Sequence, residues 1–181
     1  MKNIKVGLLG FGTIGTGVVK VIQQNCGVLT SRLGATIELA RIADLNTTTD
    51  RGVKLSPGVL TDDALGLLND PEIQVVIELI GGYEPARTFV LQAIRNGKHV
   101  VTANKALLSE HWQALVEKAE EKGVSLLYEC SVAGGIPLIR TIKVGLVANR
   151  IRSVTGIING TCNYILSKMS AEKLTFDDDL A

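Results

Sequence analysis

The sequence has few aromatic residues and almost no net charge. Aromatic side chains make up 4% of its 181 residues, and 19 lysines and arginines against 18 aspartates and glutamates leave a net charge of +1. The low aromatic content argues against a base-stacking surface for single-stranded nucleic acid. The balanced charge gives no general attraction to nucleic acid or to an anionic membrane. We therefore expect neither nucleic acid nor a membrane as a partner.

Cysteine is also scarce, and long apolar runs are missing. The three cysteines, Cys26, Cys130 and Cys162, are far apart and form neither a Cys-x-x-Cys pair nor a zinc-binding spacing. No apolar run reaches the roughly 20 residues of a membrane-spanning helix, and we expect no cleavable signal segment before the first strand. These features predict a cytoplasmic protein with reduced thiols, in which Cys26 and Cys130 are small buried hydrophobic residues.

Apolar runs alternate with helical patterns, and 46% of the residues are hydrophobic, enough for a substantial core. Strands are predicted at residues 4–10, 36–43, 75–80, 99–102 and 124–129, helices at 13–24, 62–68, 85–96, 109–122 and 137–146, and loops at 25–34 and 46–58. Either Thr61 or Asp62 is expected to cap the second of these helices. This alternation predicts an α/β fold with a Rossmann-type doubly wound parallel sheet over residues 1–148.

Residues 149–181 are predicted to begin a second, incomplete α+β domain. A strand at 150–158 and a helix at 162–170 would belong to it.

The first strand runs directly into Gly10-Phe11-Gly12-Thr13-Ile14-Gly15, and a helical pattern follows. In a Gly-x-Gly-x-x-Gly turn the first glycine permits the tight turn, and the second lets the backbone approach a pyrophosphate. The third lets the helix pack closely on the strand. The helix N-terminus then offers free N–H groups to phosphate oxygens. The sequence therefore predicts a dinucleotide site at its start.

Asp44 directly follows the second strand, where an acidic residue typically accepts hydrogen bonds from the adenosine ribose. A carboxylate at this position repels a 2′-phosphate, so Asp44 favours NAD over NADP. Arg41 and Arg51 are close enough in the sequence to leave NADP open.

Three further strand ends carry candidate site residues. Gly81 and Gly82 follow the third strand and either approach the nicotinamide half of the cofactor or form a plain turn. Lys105, after the fourth, either orients or protonates a substrate carbonyl or is a solvated surface charge. Glu129, after the fifth, precedes a small-residue loop. Its carboxylate and the loop carbonyls are hard oxygen ligands that suit a cation, although an acid that caps a helix start would look the same.

Two other functions are compatible with these residues. Cys162 falls at the N-terminus of a predicted helix, an environment that favours the thiolate. A semialdehyde dehydrogenase with Cys162 as its nucleophile is one alternative, and a non-catalytic dinucleotide-binding module is another. His99 and His111 have no metal-like partner in the sequence, and we interpret both as structural.

From its first strand to about Ser170 the chain resembles the homoserine dehydrogenases. The resemblance rests on the glycine turn and on four later motifs in order: Glu78-Leu79-Ile80-Gly81-Gly82, Val101-Thr102-Ala103-Asn104-Lys105-Ala106-Leu107, Glu129-Cys130-Ser131-Val132-Ala133-Gly134-Gly135-Ile136-Pro137 and Asn159-Gly160-Thr161-Cys162-Asn163-Tyr164-Ile165-Leu166.

The resemblance implies NAD(P)-dependent interconversion of two small-molecule substrates, L-aspartate 4-semialdehyde and L-homoserine, in threonine, methionine and isoleucine biosynthesis, by a homodimer or higher homo-oligomer. It also implies that residues 149–181 begin a domain for substrate binding and dimerisation. Two sets of site residues follow from it. The cofactor contacts fall on Phe11, Thr13, Ile14 and Lys105, and a sodium ion on Glu129 and the carbonyls of Val132, Gly134 and Ile136.

Besides the cysteines at positions 130 and 162, where alanine and threonine are common in the family, two departures bear on cofactor choice and turnover. Ala43 stands where members often carry an arginine facing the 2′-phosphate, which strengthens the preference for NAD. The family's proton-relay lysine and aspartate, its substrate-binding glutamate and its regulatory domain all correspond to positions beyond residue 181. We therefore expect this chain to bind cofactor with little or no turnover.

Overall fold

A computed structural model describes residues 1–173, 175 and 176. One sheet contains six parallel strands: β1 Lys2–Leu9, β2 Ala35–Ala43, β3 Leu60–Thr61, β4 Val75–Glu78, β5 His99–Thr102 and β6 Leu126–Leu127. Their order across the sheet is β3-β2-β1-β4-β5-β6. This is the strand order of a Rossmann fold, with β1 at the point where the order reverses. The predicted doubly wound parallel sheet is confirmed.

Helices connect the strands, with bounds α1 Thr13–Gln24, α2 Cys26–Leu33, α3 Ala64–Asn69, α4 Ala86–Arg95 and α5 Lys105–Lys122. Successive side chains of a strand point to opposite faces, and the two ends of β1 show this clearly. Leu8 packs with Val19 of α1 in one buried cluster, whereas Leu9 belongs to a second cluster with Val90 of α4 and Leu115 of α5. Both faces of the sheet therefore contribute to the core.

The prediction of a loop at residues 25–34 was wrong, because α2 occupies Cys26–Leu33 and packs against β2. Leu29 and Leu33 are four residues apart and therefore share one helical face. A glycine inside a helix costs only about 1 kcal/mol relative to alanine, so Gly27 does not prevent helix formation. Gly34, with φ of +65°, ends the helix.

Helix caps explain two further differences. α5 begins at Lys105 rather than at residue 109, because the Asn104 side chain accepts a hydrogen bond from the N–H of Leu107 at 3.0 Å. α3 is capped by Asp63, not by Thr61 or Asp62, through a 2.7 Å bond from the N–H of Gly66. The short strand β3, which pairs with the end of β2, was not predicted.

The chain divides into two compact units, Met1–Ile139 and Arg140–Ala181. α6, Leu138–Arg140, is followed by a π-helix at Thr141–Gly145, and α7 spans Gly160–Glu172. The strand predicted at 150–158 is wrong: all of these residues are described, and none is in a strand. A strand needs a neighbour with which to exchange hydrogen bonds, and no strand in the described part of the chain pairs with this segment. The predicted domain boundary at residue 148 stays a prediction.

Among the described residues, no helix is both long enough and apolar enough to cross a membrane.

Candidate functional site

The glycine turn joins β1 to α1 at the carboxyl edge of the sheet. Gly10 has φ of +93°, and a Cβ there would lie 2.7 Å from the carbonyl oxygen of Leu79. A Cβ on Gly15 would collide with the carbonyl of Gly10, whereas no described atom lies within 4 Å of one on Gly12. The protein itself therefore requires glycine at positions 10 and 15, and the space beside Gly12 is open to a ligand.

A cleft of about 370 Å³ lies at this edge, lined by the glycine turn, by Asp44 after β2 and by Leu79 and Ile80 after β4. In an open parallel sheet, ligands bind where the strand order reverses, at the carboxyl ends of the strands. α1 starts beside this cleft, and its N-cap is Gly12, which has no side chain to cover the first N–H groups of the helix. The cleft and the helix start suit a phosphate-containing ligand.

The predicted contact residues of the glycine turn differ in whether their side chains are exposed. The side chains of Thr13 and Ile14 are exposed, Ile14 by 64%. The ring of Phe11 is buried with Val19 and Ile42, so Phe11 can meet a ligand only through its backbone.

Asp44 is held at the turn by three donors. Its Oδ2 accepts the N–H of Phe11 at 2.6 Å, and its Oδ1 accepts the N–H of Asn46 at 2.8 Å. Nη2 of Arg51 lies 3.4 Å from the same Oδ1. The structure therefore brings Asp44 to the glycine turn, at the position expected for a ribose acceptor.

Of the two arginines considered from the sequence, only Arg51 lies beside Asp44. Its guanidinium also donates to the carbonyls of Thr49 at 2.9 Å and Asn46 at 2.7 Å, and Cζ lies 4.7 Å from the centroid of the Phe11 ring. Arg41 instead pairs with Asp70 at 3.6 Å. A positive charge therefore stands next to Asp44, but both terminal nitrogens of Arg51 already donate to acceptors within the protein.

Gly81 and Gly82 follow β4 with φ of +81° and +69°. Beneath them lies Glu78, the last residue of β4, which is fully buried. Its Oε1 accepts the N–H of Ile80 at 2.8 Å and faces that of Gly81 at 3.4 Å. Glu78 was not predicted as a site residue from the sequence. The available signal was a carboxylate that ends a strand of otherwise apolar residues.

Lys105 is exposed at the first position of α5, directly after the buried cap residue Asn104. The side-chain amide of Asn104 donates to the carbonyl of Gly82 at 2.7 Å. The start of α5 is therefore tied to the Gly81–Gly82 turn, and the structure brings these two predicted site segments together.

Glu129 begins a 3₁₀ helix at Glu129–Ser131, and its Oε1 accepts the N–H of Ile139 at 3.0 Å. The loop between them turns at Ala133 and Gly135, which have φ of +47° and +80°. Among the described residues, no group of three or more His, Cys, Asp or Glu side chains could hold a metal ion. A cation here would therefore depend on Glu129 and on backbone carbonyls.

The prediction that Cys26 and Cys130 are buried was wrong, because both are exposed, as is Cys162. Cys26 is the first residue of α2, and Cys130 lies in the short 3₁₀ helix, so neither occupies a core-facing position of a long element. Cys162 lies in the first turn of α7, where its N–H donates to the capping side chain of Asn159 at 2.9 Å. His99 accepts the N–H of Ser125 through Nδ1 at 3.0 Å, as a structural residue would.

The parallel sheet, the glycine turn and the carboxylate after β2 define the class of protein, a Rossmann-type dinucleotide-binding domain. The sequence profile described as "Homoserine dehydrogenase, NAD binding domain" matches residues 10–129, and the one described as "Homoserine dehydrogenase" matches residues 137–181. The chain therefore belongs to the homoserine dehydrogenase family, and its cofactor is a nicotinamide dinucleotide. The resemblance seen in the sequence is confirmed.

Curated relatives are similar along the whole chain. The homoserine dehydrogenase of Pseudomonas aeruginosa is 49% identical over 181 residues, which are 100% of this chain and 41% of that protein. The enzyme of Bacillus subtilis is 43% identical over 180 residues, 99% of this chain and 42% of that protein. The chain thus spans about two fifths of the length of these relatives.

Solved structures of homoserine dehydrogenases also match nearly the whole chain. A homoserine dehydrogenase from Thiobacillus denitrificans has a TM-score of 0.92 and 49% identity, and the match covers 99% of this chain and 42% of that one. A hyperthermophilic archaeal homoserine dehydrogenase in complex with NADPH has a TM-score of 0.79 over 98% of this chain and 59% of that one. At 20% identity, the archaeal enzyme supports the fold alone.

Proposed function

We propose that this chain is the cofactor-binding part of a homoserine dehydrogenase that interconverts L-aspartate 4-semialdehyde and L-homoserine with NAD(P). The observation that carries the proposal is the glycine turn with Asp44 hydrogen-bonded to it at 2.6 Å, in a chain that belongs to this family. The reaction would serve threonine, methionine and isoleucine biosynthesis.

In this proposal the first unit of the chain binds the two halves of the cofactor separately. The N–H groups at the start of α1 and the open space beside Gly12 receive the pyrophosphate. Thr13 and Ile14 contact the cofactor next to it, and the carboxylate of Asp44 accepts hydrogen bonds from the ribose hydroxyls. Gly81 and the start of α5 face the nicotinamide half.

Lys105 is the proposed catalytic residue of this chain. Bound nicotinamide supplies or accepts the hydride. The ammonium of Lys105, exposed at the start of α5, orients the substrate carbonyl and stabilises the negative charge that develops on its oxygen. We place no covalent step on Cys162.

We also propose that the loop after β6 holds a sodium ion. Glu129 and the carbonyls of Val132, Gly134 and Ile136 are oxygen donors, which hard cations prefer. The loop turns tightly at Ala133 and Gly135, which favours several carbonyls converging on one point.

We propose a preference for NAD over NADP. Asp44 carries a negative charge where a 2′-phosphate would lie, and Ala43 supplies no cation. Arg51 offsets part of the charge of Asp44, but Asn46 and Thr49 already accept its hydrogen bonds. Releasing Arg51 toward a phosphate would break those bonds and its contact with Phe11.

Calorimetric titration of this chain with NADH and then with NADPH tests the proposal. We expect both to bind, and NADH to bind more tightly. Tighter NADPH binding would contradict the NAD preference and assign the 2′-phosphate to Arg51. Failure of both cofactors to bind would contradict the proposed cofactor-binding role itself.

We propose that turnover and assembly require the complete enzyme rather than this chain alone. Because the chain spans about two fifths of their length, we expect little or no homoserine oxidation from it, and a homodimer or higher homo-oligomer for the complete enzyme. The three exposed free thiols are compatible with a reducing compartment such as the cytoplasm.

A further inference from the structure

A closed ring of hydrogen bonds links the ends of β4 and β5 beneath the proposed nicotinamide site. The hydroxyl of Thr102 donates to Oε2 of Glu78 at 2.6 Å and accepts the N–H of Asn104 at 3.0 Å. Asn104 donates to the carbonyl of Gly82 at 2.7 Å, and the N–H of Ile80 returns to Glu78 at 2.8 Å. The ring therefore includes the Gly81–Gly82 turn and the residue that caps α5.

The side chains in the ring are buried, and two of its four hydrogen bonds end on one carboxylate. Glu78 and Thr102 are fully buried, and Asn104 is 5% exposed. A buried carboxyl group is costly unless its oxygens accept hydrogen bonds, and Glu78 accepts them on both oxygens. Such a group ties together the elements that supply the donors, because each donor left without its acceptor carries its own penalty.

The hydrogen bonds of the ring restrain the backbone conformation of the Gly81–Gly82 turn. Gly81 and Gly82 are consecutive glycines with positive φ, and no described atom lies within 4 Å of a Cβ built on either. Glycine has more backbone freedom than other residues, so the conformation of this turn depends on hydrogen bonds from outside it. The carboxylate of Glu78 accepts hydrogen bonds from the N–H groups of Ile80 and Gly81, and the side-chain amide of Asn104 donates one to the carbonyl of Gly82.

We infer that Glu78 is a positioning residue: through this ring it fixes the Gly81–Gly82 turn and the start of α5 in the arrangement that receives the nicotinamide half of the cofactor. The inference rests on the proposed function, in which Gly81 and Lys105 face that half. It assigns to Glu78 no contact with the adenosine half, which Asp44 and the glycine turn bind.

The experiment compares NADH with ADP-ribose, which lacks the nicotinamide, in calorimetric titrations of this chain. In Glu78→Leu and Thr102→Val we expect NADH affinity to fall about tenfold, as for a buried hydrogen bond left incomplete. ADP-ribose affinity should stay within about twofold of the parent value, because the glycine turn is unchanged. Glu78→Gln keeps one oxygen for the N–H groups of the turn, so its loss of NADH affinity should be smaller.

Lys98→Met is the matched control. Lys98 is buried, immediately precedes β5 at the opposite edge of the sheet, and donates to the carbonyls of Asp70 and Ile73. The Lys98→Met substitution should lower the unfolding midpoint without changing the ratio of NADH affinity to ADP-ribose affinity. If Glu78→Leu does not fold, Thr102→Val and Glu78→Gln decide the test.

Two outcomes would overturn the inference while the proposed function stands. One is that both ligands lose affinity equally, or neither loses any, in the folded Glu78 and Thr102 variants. The other is a parent chain that binds NADH no more tightly than ADP-ribose. A parent chain that binds neither ligand would instead contradict the proposed function.

Discussion

Asp44 is fixed by the N–H groups of Phe11 and Asn46, so its carboxylate can accept ribose hydroxyls without first being ordered. Asp44→Asn keeps the shape and one acceptor oxygen but removes the charge. We expect NADH affinity to fall about tenfold, since hydrogen bonds to a charged group contribute about 1.5–3 kcal/mol. NADPH affinity should not fall, because the substitution removes the repulsion of its 2′-phosphate. Paired calorimetric titrations measure both.

Asp50→Asn is the control for this substitution. Asp50 lies in the same loop and accepts the N–H of Gly52 at 2.8 Å, but it is not part of the cleft lining. Its variant should bind both cofactors like the parent chain. Equal losses for NADH and NADPH in Asp44→Asn would contradict the ribose role and indicate a general change in the turn.

At the scale of elements, α1 contains two glycines with different roles. A Cβ at Gly15 collides with the carbonyl of Gly10, whereas no described atom lies within 4 Å of one at Gly17. Gly15→Ala should therefore destabilise the chain by about 1–3 kcal/mol, as for overpacking against rigid backbone. Gly17→Ala should stabilise it by about 0.5–1 kcal/mol through helix propensity. Urea unfolding measures both, and changes of the same sign would refute this difference in roles.

The start of β5 depends on a buried lysine. Burial lowers the pKa of Lys98 below its usual 10.5, and the nearby Asp70 opposes part of this change. Between the lowered value and 10.5, the unfolded chain binds a proton that the folded chain does not, so stability rises with pH there. The unfolding free energy of the parent chain relative to Lys98→Met should therefore increase as pH approaches 10.5. Urea unfolding at successive pH values checks this, and a flat or falling difference would contradict it.

The elements that could be predicted from the sequence are those built from local patterns. An apolar strand, a glycine turn and an amphipathic helix specify residues 2–24 almost completely. α2 was missed because the two leucines on one of its faces, Leu29 and Leu33, are separated by polar residues and follow a glycine. The strand at 150–158 was wrong because β-favouring residues do not form a strand without a partner. The role of Glu78 depends on Thr102, 24 residues away, and no local pattern shows that contact.

At the scale of the whole molecule, the first unit has an apolar groove of about 800 Å³ beside α1. Its lining comes from one face of the sheet, including Val6 and Ile77, and from Val18 and Val21 of α1. Val21 is 53% exposed. Exposed apolar patches of this kind are uncommon on soluble monomers and bind apolar molecules. We therefore expect this chain to bind the dye 8-anilinonaphthalene-1-sulfonate, with enhanced fluorescence, while it is folded.

Val21→Lys tests whether this groove is the dye site. A lysine there places a charge at the wall of the groove, so the dye fluorescence should fall. NADH affinity should not fall, because Val21 lies near the end of α1 that is remote from the cleft. Val28→Lys is the matched control, since Val28 is 52% exposed on α2 but does not line the groove. Equal loss of fluorescence in both variants would show that the dye reports general surface hydrophobicity. No loss in Val21→Lys would place the dye elsewhere on the molecule.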